Sequence, residues 1–383
     1  MSSLKTNIFN SIEEIHADIW KDLSCQENVY FSYGFLEAFE SSNPNIDFRY
    51  IVISSEDKAI ALALIQTIEL SIDVILKNIK LSKFIKRIFN FFFCNNPIRI
   101  MFCGNIFLSG EHGIYMCNDV DKVSVLNTIA LTIKYIAKQC KPLHAIFIKD
   151  YLKSSLDYMG KLKNYGYTAM QVEPNLIVRL DKNWNNFSAY RDNLKSKYRV
   201  KVNRADAMSS ALTDKLFAES DFATYKNELQ KLYENTIANA NFNAQVLNLD
   251  TYIKLRAIYH ENFIVKAYFY NDKLVGFLSA LANNNHLDAH FIGLDYELNK
   301  TYAIYPRILN DYIRIGIEKK VSHINLGRTA SEIKTTIGAN PVDLTCFIRH
   351  RRSLLNTLLK PLIKNVKIKS FKQHQPFKNK KEA

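Results

Sequence analysis

Residues 321–349 read VSHINLGRTASEIKTTIGANPVDLTCFIR, and this stretch decides the fold. Residues 321–326 have the composition of a strand. Gly327 lets the backbone turn where that strand ends. One or two helical turns follow, then Gly338, then a returning strand over 342–349. Arg328 and Lys334 place two cations beside the turn, and Thr329 or Ser331 is expected to cap the short helix.

Upstream, two runs rich in β-branched and aromatic residues, 263–270 and 274–282, predict a hairpin across Asn271, Asp272 and Lys273. A third strand covers 286–294. A helix covers 303–319, with Ile304, Ile308, Ile313 and Ile317 at helical spacing. The same order occurs earlier in the chain. There a hairpin spans 48–54 and 59–68, a third strand 99–107, and a helix 120–139 with Leu126, Ile129, Ile133 and Ile136 on one face. A strand opening at His144 takes the slot of the one opening at His323. The fold class expected is therefore α/β (α+β), with two tandem units, each a mixed central sheet flanked by helices.

The halves differ in length. Lys58 to His144 is 86 residues, whereas Lys273 to His323 is 50, so the first half carries 36 more. Most fall at about 70–98, where Lys77, Lys80, Lys83, Lys86 and Arg87 stand among isoleucines and Phe84, Phe89, Phe91, Phe92 and Phe93. Such a basic, aromatic segment suits a membrane interface, its own domain or a partner chain. Between the halves, 174–180 reads as a strand. Residues 184–208 read as one helix with a basic face of Arg191, Lys195, Lys197, Arg199, Lys201 and Arg204, and two more helices follow at about 221–238 and 249–259. The expected organisation is a first domain over 1–172, a second over 173–350 and a basic tail over 351–383.

The chain has 383 residues, enough for two cores, and 11 glycines and 8 prolines argue for long regular elements. Its net charge of +14 is uneven. Residues 349–383 hold three arginines and eight lysines against Glu382, a net +10, and leave +4 for the rest. A tail of that kind suits an anionic membrane or nucleic acid, or is a solvated end. Six scattered cysteines without a C-x-x-C pair argue against a disulfide framework or zinc site. No metal is expected. The opening residues lack a signal-peptide core and no run approaches a membrane span, so a cytoplasmic, membrane-peripheral protein is one expectation. P-loop, G-x-S-x-G, Rossmann-glycine and H-E-x-x-H motifs are absent.

The stretches 193–199 (NLKSKYR), Tyr305, and 325–329 (NLGRT) with Lys334 and Gly338 resemble bacterial GNAT acyltransferases and Fem-type aminoacyl transferases, with Cys103-Gly104-Asn105 and 109–113 in support. The resemblance covers most of 30–350. It implies tandem GNAT domains, acyl transfer to an amine, and acyl-CoA or another acyl donor as co-substrate. The acceptor implied is a small molecule, or a lipid or cell-wall precursor amine, and in the Fem-type case the donor is an aminoacyl-tRNA. Acetyl-CoA-dependent relatives carry a glycine loop before the long helix, where backbone N–H groups bind pyrophosphate. Here residues 296–305 contain no glycine, a feature shared with Fem-type enzymes. A catalytically inactive pair that binds an anionic surface is the non-enzymatic alternative.

Acyl transfer to an amine needs a proton acceptor, donors for the developing oxyanion and a proton for the leaving group. His286, Asp288 and His290 alternate on the third strand and so are expected to project from one face. A histidine beside a carboxylate is a candidate base; a polar sheet face is the plainer reading. Tyr305, at the mouth of the long helix, is a candidate acid or core packing. Gly327, Arg328, Thr329, Lys334 and Gly338 form the candidate substrate-binding turn, with Arg328 and Lys334 either holding an anion or capping carbonyls. Arg191, Lys195 and Arg199 are candidates for a phosphate-rich substrate such as tRNA or a lipid head group.

Overall fold

The structure, a computed structural model, describes residues 4–25, 28–70, 97–239, 245–366 and 368–378. Two compact units emerge. One comprises Met1–Glu173, Asn241–Leu247 and Asp343–Ile368; the other comprises Pro174–Ala240, Asn248–Val342 and Lys369–Ala383.

In the first unit, β1 (Leu4–Phe9), β2 (Asp47–Ser55), β3 (Lys58–Leu70) and β4 (Ile98–Cys103) pair antiparallel in that order. The short β5 (Ile114–Met116) also pairs with β3. β4 pairs parallel with β6 (Ala145–Leu152), which takes residues 344–350 as its antiparallel neighbour on the other side. Glu56 and Asp57, at φ of 49° and 64°, make the two-residue turn that fixes the β2–β3 register. β4 is shorter than the expected 99–107 because Gly104 turns away at φ 136°, in a place where a Cβ would meet the Lys149 side chain at 2.5 Å. The helix Lys122–Gln139 starts where Asp121 accepts from the N–H groups of Val123 and Ser124, and its Leu126, Ile129, Ile133 and Ile136 are fully buried. The basic-aromatic reading of 75–93 lies outside the described residues.

In the second unit the strand order is the part of β7 (Thr168–Arg179) from Pro174 on, β12 (His323–Asn325), β11 (His286–Leu294), β10 (Lys273–Asn283), β9 (Phe263–Tyr270) and β8 (Thr213–Leu216). Only the β11–β12 pairing is parallel here. Asn271 and Asp272, at φ of 48° and 60°, repeat the turn device of the first unit. The long helix Ile304–Glu318 buries the apolar stripe expected of it. It also carries Asp311, which is fully buried and bound by Lys266 Nζ at 3.0 Å, Arg307 Nε at 3.0 Å, Arg314 Nη1 at 2.5 Å and the Tyr268 hydroxyl at 2.7 Å. Arg314 continues to Asp206 and Arg307 to Asp214, so helix, sheet and the helix Ser196–Met208 share one ionic network.

The single helix expected over 184–208 is two helices, Phe187–Asp192 and Ser196–Met208. The break belongs to the C-terminal segment. The N–H of Lys195 donates to Pro376 O at 2.8 Å and that of Lys378 to Asn193 O at 3.0 Å. Phe377 packs with Trp184 and Tyr190, at centroid distances of 5.4 and 6.1 Å. Residues 372–378 are therefore docked on this unit rather than a solvated end, because Phe377 has an aromatic seat. The remainder of the basic tail, after the final strand β13 (Ala339–His350), begins with the helix Ser353–Lys364 on the first unit.

Candidate functional site

β11 and β12 pair over three positions only, with His286, Leu287 and Asp288 opposite His323, Ile324 and Asn325. Beyond Asn325 the chain follows β7 instead: Leu326 N donates to Leu176 O, and Leu176 N to Gly327 O. β11 meanwhile bulges. Leu278 pairs with Ile292 and Ala280 with Ala289, which leaves Ser279 opposite both His290 and Phe291. The two neighbouring strands thus part just where the Gly327 turn begins. Continued pairing would have set His290 against Gly327.

The bulge is pinned by side chains that the sequence did not single out. The Ser279 hydroxyl donates to Phe291 O at 2.8 Å and accepts from Phe291 N at 2.9 Å. Tyr252 meets Ser279 Oγ at 2.6 Å, and the Tyr312 hydroxyl donates to Ser279 O at 3.0 Å. Ser279 is the one hydroxyl residue in the otherwise apolar run 274–282, which was the available signal.

His286 and Asp288 share a face, with Nε2 3.2 Å from Oδ2. His290 sits in the bulge, its ring 6.1 Å from that of Phe263, so the three do not form one row. Asn325 Nδ2 donates to Asp288 Oδ1 at 3.1 Å, and Asn325 Oδ1 accepts from Gly327 N at 3.0 Å. A hydrogen-bonded chain therefore runs from the imidazole through carboxylate and amide to the glycine turn. The hydrogen bond to Asp288 raises the His286 pKa against the opposing effect of burial. Burial pushes His290 down to about 4, so it is neutral at pH 7. His323 stacks on His286 at 5.0 Å, and burial followed by that neighbour's charge lowers its pKa.

The turn is held under strain. Gly327 has φ 66°, and Thr329 and Ala330 follow at 64° and 47°, a conformation costly for residues with a Cβ and most of all for a β-branched one. Ala330 occupies the cap position of the helix Ser331–Thr335 and no side chain caps it, so the expected role of Thr329 or Ser331 there is not filled. Lys334 is buried, and its Nζ donates to Leu326 O at 2.7 Å and Arg328 O at 2.6 Å, clamping the turn from within. Arg328 is half-buried on the turn. Gly338, at φ 101°, lies under the Phe377 ring, where a Cβ would come within 2.4 Å of it.

The glycine-free stretch before the long helix folds as a helix of its own, Tyr296–Tyr302, capped by Asp295. Ala303, at φ 48°, separates the two helices, and the N–H of Tyr305 donates to Asn299 Oδ1 at 2.8 Å. A side chain thus takes one of the donors that a pyrophosphate would otherwise find at this helix start. Burial raises the pKa of Tyr305, keeping its phenol protonated. Arg191 pairs with Asp192 at 3.3 Å, whereas Lys195, bound through its N–H to Pro376 O, precedes the helix Ser196–Met208 and Arg199 lies in that helix's first turn. Among the described residues no cluster of His, Cys, Asp and Glu is placed to hold a metal, and no helix is long and apolar enough to cross a membrane.

No protein-family model matches the chain, and no curated protein matches it in sequence. Solved structures do match in fold. A tandem GNAT protein from the clavulanic acid biosynthesis pathway superposes with a TM-score of 0.55 at 7% identity, over 91% of this chain and 99% of that one. FemX superposes with a TM-score of 0.53 at 12% identity, over the same shares. The chain has the tandem GNAT-like fold, a mixed α/β architecture with sheets flanked by helices.

Proposed function

We propose that the protein is an N-acyltransferase that moves an acyl group from an activated donor to an amine acceptor, with the second unit carrying the site. The observation behind this reading is the His286–Asp288–Asn325–Gly327 chain, which joins a candidate base to a strained turn at the point where two strands part. The acceptor nitrogen attacks the donor carbonyl, forming the C–N bond as the C–S or C–O bond breaks. The proton leaving nitrogen passes to His286, directly or through water, and Asp288 stabilises the imidazolium. The Tyr305 phenol returns a proton to the thiolate or alkoxide. Arg328, beside Gly327 and Thr329, holds an anionic part of donor or acceptor. Lys334 keeps the turn shaped for it, and Gly338 keeps the C-terminal segment seated behind. Arg191, Lys195 and Arg199 form the binding surface for a phosphate-bearing substrate.

A thioester such as acyl-CoA is one donor. The aminoacyl ester of a tRNA, as in Fem-type enzymes, is the second reading, and one observation favours it: Asn299 occupies a helix-start donor that CoA pyrophosphate would use. The acceptor is then the amine of a small molecule, or of a lipid or cell-wall precursor. The test is transfer of labelled acyl groups from an acyl-CoA panel and from aminoacyl-tRNA, with wild type and Asp288→Asn side by side. Transfer by wild type that falls at least about a hundredfold in the variant supports the assignment. Undiminished transfer by the variant removes it. Absence of transfer from every donor, with RNA or anionic surface still bound, leaves the inactive binding pair.

A further inference from the structure

The helix Ser353–Lys364 on the first unit is amphipathic in the wrong sense for a surface helix. Its buried residue is polar: Asn356 donates to Gly166 O at 2.8 Å and accepts from His350 N at 2.8 Å. Three of its five leucines form an outward stripe. Leu354, Leu358 and Leu362, one turn apart, are 77%, 65% and 66% exposed. A soluble helix ordinarily turns such a stripe inward, and an exposed one marks a contact surface.

The start of that helix opens on a cleft of about 530 Å³ lined by Lys134, Lys138, Lys141, Arg349, Arg351 and Arg352, with no acidic residue in its wall. Arg349 is only 8% exposed; one of its nitrogens donates to Tyr165 O, and its Nε is buried without a hydrogen-bond partner. On the helix Lys122–Gln139, Leu131 and Tyr135 stand 54% and 55% exposed beside Lys134 and Lys138, by helical spacing on the same outward face. The helix Ser353–Lys364 itself contains no acid.

Leucines beside a wall of cations complement one surface in particular, a bilayer that carries negative charge. We propose that this face of the first unit docks on an anionic phospholipid membrane. Lipid phosphates enter the cationic cleft, and the Leu354–Leu358–Leu362 stripe enters the acyl boundary. At 12 residues the helix lies in the interface and is too short to cross it. The inference does not depend on acyl transfer, since docking and chemistry are read on different units and by different assays.

Flotation of the full chain with phosphatidylcholine vesicles, with and without phosphatidylglycerol, tests it. Wild type is expected to float only with phosphatidylglycerol and to be released by salt. Replacing Leu354, Leu358 and Leu362 by serine is expected to weaken binding about a hundredfold with an unchanged thermal melt, because all three side chains are already in water. Lys134→Ala with Lys138→Ala is expected to weaken it about tenfold. Wild type that ignores phosphatidylglycerol vesicles, or a leucine variant that floats as well as wild type, overturns the proposal. A wild-type dimer that the leucine variant dissociates, or tRNA binding at the cleft, overturns it too if vesicles are ignored.

Discussion

Lys334 donates its Nζ to the backbone carbonyl of Arg328 at 2.6 Å, reaching back six residues into the turn that it helps to shape. The contact explains how Thr329 and Ala330 persist at positive φ. A buried ammonium that satisfies the Leu326 and Arg328 carbonyls makes the strained conformation the least costly one available. It also divides the labour of the two cations beside Gly327, with Lys334 directed into the turn and Arg328 carried on it.

Lys334→Met tests that division. The substitution keeps the length of the side chain but leaves buried carbonyls without their donor, a loss of about 1–3 kcal/mol. The expected result is faster amide hydrogen exchange over residues 326–330 and weaker transfer, with exchange in the Ile304–Glu318 helix unchanged. Unaltered exchange in the turn would show that Lys334 does not hold it.

Asp288→Asn addresses the proton acceptor. The folded-state pKa of His286 is raised by Asp288, so the imidazolium persists through the usual histidine range and deprotonates only as pH rises past the raised value. A base must be neutral, so transfer by wild type is expected to rise with pH on a limb above about 6.5. In Asp288→Asn that limb moves to lower pH as the plateau falls. A limb that stays in place assigns it to another group. The pH dependence of kcat/KM measures both.

Much of this was legible in the chain. The repeated order of hairpin, strand, helix and strand was readable because Asp-Lys turns and the isoleucine stripe of 304–317 carry period and punctuation locally. The candidate residues His286, Asp288 and the Gly327 turn were visible for the same reason. Their connection was not, since Asn325 acts across strands and only the parallel register of β11 on β12 sets it opposite Asp288. The bulge that removes His290 from the row depends on Ser279, Tyr252 and Tyr312 from three separate elements, and no local pattern announces such a meeting. The split of the helix after Asp192 was hidden likewise, because its cause, Phe377, lies far along the chain.

Asp311→Asn is expected to destabilise the second unit by about 3–5 kcal/mol, the range for breaking a buried ion pair by removing one partner. Desolvation pushes the Asp311 carboxyl up, but Lys266, Arg307, Tyr268 and Arg314 together hold it below the usual value. A depressed pKa contributes stability that is fully present above the unfolded value of about 3.9 and fades as pH falls through the folded value. The gap between wild type and Asp311→Asn in urea unfolding should therefore be constant near neutrality and narrow below about pH 4. A gap independent of pH down to acid unfolding would remove the ionic account.

The seat of Phe377 on Gly338 gives the last prediction. Gly338 combines φ 101° with a ring 2.4 Å from where a Cβ would stand, so Gly338→Ala must both strain the backbone and push the ring out. Phe377→Ala removes the same ring and loses its contacts with Trp184 and Tyr190, a cost below about 3 kcal/mol for a half-buried side chain. Either change is expected to free residues 372–378, and limited trypsin digestion should then cut after Lys372 about tenfold faster than in wild type. The two changes share one contact, so their effects should not add. With Phe377 already gone, Gly338→Ala retains only its backbone strain, about 1–2 kcal/mol. Additive effects in the double variant would show that the glycine is there for the turn alone and that Phe377 is anchored elsewhere.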